Sequence, residues 1–267
     1  MPQLCQYKVL VVGEKCEDVF HYGKADRLCP DVPAPVFHIA KTVRSSGMAG
    51  NTLRNLKALG VTVHSHFQPE PITKSRYVEE KLNYTFLRVD EGEKNITPYS
   101  QVFSLTDAEI GEYDAVVVSD YGKGFLSESD IERFCKANPR TFIDTKKVLK
   151  DPLGKYCQEA FLVKINSPEF EAHKSKINLD EWSDKLIVTL GDQGCMYRTG
   201  TGFHYFPVDG VKVFDLSGAG DTFLAALVGK YLESNDIITS IKYANIKASE
   251  VVQQRGVSII NASDNTQ

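Results

Sequence analysis

Asp215-Leu216-Ser217-Gly218-Ala219-Gly220-Asp221 runs without a break into Thr222-Phe223-Leu224-Ala225-Ala226-Leu227. Two glycines around an alanine, a carboxylate and then an apolar run read as a tight turn that opens a buried helix. A helix start presents N–H groups with no intrahelical partner and a partial positive charge. Glycines let that backbone approach an anion closely. The carboxylate of Asp221 stands within reach of whatever those N–H groups hold. The pairing suits phosphoryl transfer: amides stabilise the moving group and the carboxylate takes the proton of the attacking hydroxyl. Standing alone, Gly-Ala-Gly-Asp reads equally well as a glycine turn with an Asp cap.

The chain around this stretch alternates strands and helices. Lys8-Val9-Leu10-Val11-Val12 before Gly13 is a short continuous apolar run, the pattern of a strand buried on both faces of a parallel sheet. Gly47-Met48-Ala49-Gly50-Asn51 leads into Leu53, Leu56 and Leu59 at helical spacing, with Gly60 as a stop. Further strands are expected at Val61–Val63, Ala115–Val118, Thr141–Asp144, Phe161–Lys164 and Leu186–Thr189. Ser127 caps a helix running to Ala137, and two helices, about Ala219–Leu232 and Ile238–Gln254, close the chain. The proline-rich Cys29–Pro35 is a loop, Val36–Ala40 a strand, and Ser75–Asp90 a charged, two-sided antiparallel excursion. This rhythm predicts an α/β fold with ligands at the carboxyl ends of the strands. Polar clusters fall there: Gly13 to Asp18, Asp120 with Lys123, Asn166 to Glu169, and Gly191 to Gly194. Singly, Asn166 or Ser167 reads as a helix cap and Gly191–Gly194 as a hairpin turn. Together they make the rim a two-substrate phosphotransferase needs.

Composition narrows the classes. The chain has 267 residues, 42% hydrophobic and 25% charged, with a net charge of −4. A sizeable core is available. With no long basic run, neither nucleic acid nor an anionic membrane is expected as a main partner. No leader and no apolar run of membrane-spanning length is seen, and the six scattered cysteines lack any Cys-x-x-Cys spacing. The expectation is a cytoplasmic protein with reduced thiols.

The order and spacing of these pieces resemble the ribokinase-type (PfkB) carbohydrate kinases: an early strand with a downstream Asp, a Gly-rich turn ending in Asn51, Asn-x-x-Glu, Thr-Leu-Gly-x-x-Gly, and the late Asp-x-Ser-Gly-Ala-Gly-Asp. The resemblance runs from Lys8 to about Ile260. One branch, the kinase half of bacterial ADP-heptose synthases, shares more: Val9–Gly23, Leu28–Val36, Ile72–Arg76, Leu87–Asp90 and Val116–Gly124, with the proline-rich piece and the Ser-Asp-Tyr-Gly-Lys-Gly loop as its diagnostic parts. What the resemblance implies is a single ribokinase-like domain over 1–267, a doubly wound, mostly parallel sheet with a small β lid from about 33–41 and 75–90. It implies an ATP- and Mg²⁺-dependent sugar kinase, in that branch one that phosphorylates O1 of D-glycero-D-manno-heptose 7-phosphate, and a homodimer joined through the lids.

Residue by residue, the resemblance makes Asp221 the general base and the N–H groups of Gly218, Ala219 and Gly220 the anion hole. Asn166 and Glu169 would organise Mg²⁺ and the ATP phosphates through water. Thr189, Gly191 and Gly194 would line the nucleotide site, with Asn245 near the adenine. Asp18, Gly47 and Asn51 would hold sugar hydroxyls. Lys74, Arg76, Arg88, Asp120 and Lys123 are further substrate candidates, because a phosphorylated sugar needs cations. Each of those charges also reads as an ordinary solvated one. The chain departs from the branch in four places: Met48 where the branch has a second glycine, Glu14 in place of an aspartate, only His64–Ile72 where the family has a helix and strand, and an abbreviated Lys174–Trp182; the two cuts touch the sugar side. A kinase for another sugar or sugar phosphate, and a silent nucleotide- or sugar-binding homologue, are the alternatives.

Overall fold

The computed structural model describes residues 4–146, 155–176 and 178–261. From the amino end, β1 (Lys8–Gly13) is followed by two long strands, β2 (Lys15–Leu28) and β3 (Pro35–Met48), then α1 (Ala49–Ala58) and β4 (Thr62–Phe67). Next come β5 (Thr73–Glu79), β6 (Tyr84–Glu91) and the short helices α2 (Tyr99–Val102) and α3 (Asp107–Gly111). The βα alternation resumes with β7 (Ala115–Asp120), α4 (Glu128–Ala137), β8 (Thr141–Thr145), β9 (Leu162–Asn166) and α5 (Ser167–His173). The chain then runs through β10 (Leu186–Thr189), β11 (Cys195–Thr199), β12 (Gly202–Phe206), α6 (Ala219–Ser234) and α7 (Ile237–Val251).

Among the described residues, eight strands form one sheet in the order β12-β11-β10-β9-β8-β7-β1-β4. The strands from β10 to β4 are parallel neighbours, and β11 and β12 add an antiparallel edge. The continuous apolar runs explain the burial. Leu10 and Val12 of β1 join one core with Val116, Val118, Ile143 and α4 residues Ile131 and Phe134. Val9 and Val11 join the opposite core with Leu56 of α1 and Phe223 to Val228 of α6. Two apolar faces per strand mean helices on both sides, a doubly wound layer structure. Helix α6 is sandwiched, so its residues Phe223 to Val228 are all buried and its sequence shows no polar stripe.

The smaller sheet, ordered β3-β2-β5-β6, is the lid. It is larger than the 33–41 and 75–90 segments expected, because β2 contributes 14 residues and β3 runs on to Met48. It is also not wholly antiparallel: β2 pairs with β5 in parallel. The pattern hid β2 because Asp18 faces inward as a buried, ion-paired carboxylate, which breaks the apolar alternation of a strand. The short link after β4 leaves β4 at the edge of the large sheet. There buried Gln68 stands in for backbone pairing: its amide donates to Lys15 O at 2.7 Å and its Oε1 accepts from Lys15 N at 2.9 Å. Met48, in place of the branch's glycine, adopts φ 57°, ψ −138°, a backbone region that favours glycine.

Candidate functional site

The start of α6 organises the site. Gly218 precedes the helix at φ 84°, and a Cβ there would lie 2.5 Å from Asn51 Nδ2, so this position requires glycine on two counts. Asn51, fully buried on α1, donates to Gly218 O at 3.3 Å and to Asp221 Oδ2 at 3.4 Å. Its Oδ1 accepts from Asn55 at 3.2 Å. These bonds tie the glycine turn and the Asp221 carboxylate to α1, so Asn51 serves the base directly and would meet a sugar only by exchanging them. Ala219 N–H donates to Leu216 O at 3.3 Å.

Asp221 is buried, and the phenol of Tyr121 donates to its Oδ1 at 2.6 Å. Burial pushes the Asp221 carboxyl up to about 7. The Tyr121 and Asn51 hydrogen bonds and the Lys164 charge act in the opposite sense, while Asp144 adds to the rise. A carboxylate that is neutral below neutrality and ionised above it is poised as a general base.

Next to the helix start lies a chain of alternating charges. Lys164 Nζ, from the middle of β9, lies 3.0 Å from where a Gly220 Cβ would be. Its Nζ pairs with Asp144 Oδ2 at 2.6 Å, both side chains buried. Lys146 Nζ lies 3.9 Å from Asp144 Oδ1 and bonds Glu169 Oε1 at 2.5 Å. Asn166 and Glu169 form a reciprocal cap on α5: Asn166 Oδ1 accepts from Glu169 N at 2.9 Å, and Glu169 Oε2 accepts from Asn166 N at 2.8 Å. The simple capping role of this pair is thus present, and Glu169 is also tied into the charged chain.

On the other side of the helix start is an apolar cavity walled by Val208, Val211, Leu216, Phe223, Ala248 and Val252. Thr189, Gly191, Gly194, Asn245, Ala219 and Gly220 share its lining. The Asn245 amide donates to Phe206 O at 2.9 Å.

The lid supplies the third side. The strand register sets Ser45, Asp18, Lys74 and Asp90 in one cross-strand row and Val43, Phe20, Arg76 and Arg88 in the next. Arg76 pairs with Asp18, and Arg88 makes a two-pronged contact with Asp90 at 2.7 and 2.8 Å. Arg88 is the more exposed of the two. Gly47 lies opposite Cys16 and leaves room for Asp18: a Cβ there would sit 1.9 Å from Asp18 Oδ2. Lys74 and Lys123 share Glu93, at 3.3 and 2.6 Å. Asp120 is buried and accepts from Gly122 N at 3.0 Å and Thr145 Oγ1 at 2.6 Å, which shapes the loop after β7. The lid's inner face also packs Phe20, Tyr22 and Val78 on Val257, and its tip reaches Phe214 O through Asn83 at 2.6 Å.

Sequence reading gave no site role to Glu93, Tyr121, Asp144, Lys146 and Lys164, and noted Glu14 only as a departure from an aspartate. Glu14 is wholly buried and accepts from Tyr121 N, Lys123 N and Phe125 N at 2.8, 3.0 and 3.2 Å. Asp144, at the end of one apolar strand run, and Lys164, between Val163 and Ile165 inside another, did carry a signal. Among the described residues, no three His, Cys, Asp or Glu side chains gather to ligate a metal directly. No described helix is long and apolar enough to cross a membrane.

The family model described as pfkB family carbohydrate kinase matches residues 48–264. The bifunctional protein HldE of Methylococcus capsulatus is 28% identical over 99% of this chain, and that of Campylobacter curvus 29% over 95%. The chain spans 64% and 63% of those proteins, under two thirds of their length. Among solved structures, Escherichia coli phosphofructokinase-2 in complex with potassium is similar at TM-score 0.70 and 15% identity, covering 97% of this chain and 96% of that one. Arabidopsis thaliana ribokinase complexed with ribose and ATP is similar at TM-score 0.66 and 15% identity, covering 96% and 97%.

Proposed function

The chain belongs to the pfkB family of carbohydrate kinases, and on that premise we propose that it transfers the terminal phosphoryl group of ATP to O1 of a phosphorylated sugar, D-glycero-D-manno-heptose 7-phosphate. The observation that carries this reading is the shared helix start: Ala219 and Gly220 line the apolar cavity while Asp221, next in sequence, bonds Tyr121 of the loop after β7, whose ring Lys74 of the lid approaches at 5.8 Å. ATP lies with its base in the apolar cavity and its phosphates toward the N–H groups of Gly218, Ala219 and Gly220, that of Ala219 exchanging its bond to Leu216 O for the phosphate. The lid side then takes the sugar. Asp221 removes the proton from the attacking hydroxyl as the phosphoryl group arrives over the helix start. Mg²⁺ would be held through water by Asn166 and Glu169, with the unbonded Asp144 Oδ1 nearby. Few direct protein ligands suit magnesium, which keeps several waters and supplies charge neutralisation for the phosphates.

Four cations, Lys74, Arg76, Arg88 and Lys123, meet three carboxylates, Asp18, Asp90 and Glu93, on the lid side. A sugar phosphate brings the missing negative charge. The expected result is a kcat/KM on heptose 7-phosphate at least about tenfold above that on the unphosphorylated sugar, the worth of one good charge-assisted contact. Lys123→Met should raise KM for the sugar phosphate and leave KM for ATP unchanged. A preference for ribose, fructose or a nucleoside in the same coupled assay would refute the substrate.

The lid also leaves Leu82, Tyr84 and Leu87 exposed at 83%, 61% and 55%. Such a patch on a small sheet suits a two-fold contact with a second copy. The expected species in sedimentation at micromolar concentration is a homodimer, and Tyr84→Asp with Leu87→Asp should make it a monomer. A wild-type monomer would exclude the assembly.

A further inference from the structure

We propose that Tyr121 is a positioning residue for phosphoryl transfer: its phenol fixes the Asp221 carboxylate by Oδ1, so that Oδ2 is the oxygen left for the acceptor hydroxyl. This rests on the reading of Asp221 as the base. The bond from Tyr121 OH to Oδ1 is 2.6 Å, against 3.4 Å for the Asn51 contact to Oδ2. The phenol is itself held. Buried Glu14 accepts three N–H groups of the 121–125 loop, which sets where the tyrosine leaves the backbone. Lys74 Nζ from the lid and Lys146 Nζ from the nucleotide side each lie 5.8 Å from the ring centroid. Tyr121 therefore touches both halves of the site and the reacting carboxylate at once.

A short hydrogen bond to one oxygen also favours the ionised carboxylate. The charged and titratable groups facing Asp221 are Tyr121 from the loop after β7, Asp144 from β8, Lys146 just beyond it, Lys164 from β9 and Cys16 from β2. Of these, Lys164, Lys146 and the Tyr121 phenol favour the anion, with the neutral amide of Asn51, while burial and Asp144 oppose it. Removing the phenol oxygen alone should make Asp221 harder to ionise.

The test is a ¹³C NMR titration of protein labelled at aspartate Cγ, with the Asp221 resonance identified by its loss in Asp221→Asn. In Tyr121→Phe, which keeps the ring between the two lysines, the Asp221 midpoint should move up by about one pH unit, a tenfold change in proton affinity. Tyr121→Leu should give a shift of similar size and guards against a local effect of phenylalanine. An unmoved midpoint in both variants overturns the inference, whatever the substrate proves to be. The acid limb of kcat/KM, measured with Mg-ATP and heptose 7-phosphate, should move with the NMR midpoint. A shifted midpoint with an unmoved limb would overturn the positioning role through failure of the base assignment itself, a result distinct from an unmoved midpoint.

Discussion

Asp221→Asn is expected to lower kcat by roughly 10²–10⁴, the usual worth of a general base, with ATP affinity kept. In the wild type, kcat/KM should rise with pH through about 7, because the base acts only when ionised. The same burial makes a stability prediction of its own. The folded carboxyl titrates near 7 and the unfolded one near 3.8, so between these values the folded chain holds a proton that the unfolded chain has released. Stability contributed by that proton is present at low pH and lost as pH rises through the window. Asn avoids burying a charge and can still accept from Tyr121. The variant should therefore melt several degrees above wild type at about pH 8 and lose that advantage at about pH 4. A variant with near-full turnover demotes Asp221 to a helix-start residue. A variant that is inactive and melts lower at about pH 8 indicates damage to the fold instead.

Lys164→Met is expected to cost roughly 3–5 kcal/mol, because it strands the buried Asp144 carboxylate without its closest cation. For a chain of this size that is a fall in Tm on the order of 10 °C. Lys146, already bound to Glu169, stands 3.9 Å from the other Asp144 oxygen and replaces only part of the loss. The double variant with Asp144→Leu should recover most of the stability, since an apolar pair of similar volume leaves no unpaired charge. The single variant should move the acid limb of kcat/KM to higher pH and the double variant should move it less, because Lys164 lowers the Asp221 proton affinity and Asp144 raises it. Differential scanning calorimetry decides the first point. A Tm within about 3 °C of wild type would show that the pair carries little of the fold.

Much of the large sheet was legible from local pattern. β1, β7, β9 and β10 are buried on both faces, so their residues are apolar in runs that need no partner to be recognised. α4 announced itself through Ser127, which accepts from Asp130 N as a cap. α6 was legible as a buried helix opened by a glycine turn. What could not be read locally is whatever a distant partner determines. Asp18 was singled out only by resemblance, and its partner Arg76 arrives from β5. Glu14 looks like a surface carboxylate, and its role appears only when the loop at 121–125 folds over it. Glu93 lies in a polar turn whose two lysine partners come from β5 and the loop after β7. Asn51 was placed on the sugar by resemblance, and its ties to α6 and to its own helix appear only in the folded chain. The residues around the base thus became visible only once long-range contacts brought the strand ends together.

The most direct test of the central claim is a ³¹P NMR spectrum of the protein incubated with Mg-ATP and D-glycero-D-manno-heptose 7-phosphate. The account predicts loss of the γ-phosphate signal, growth of ADP, and a second phosphomonoester on the sugar, at C1, with no matching rise of inorganic phosphate. Unchanged ATP, or conversion of ATP to ADP and free phosphate with the sugar untouched, would contradict it.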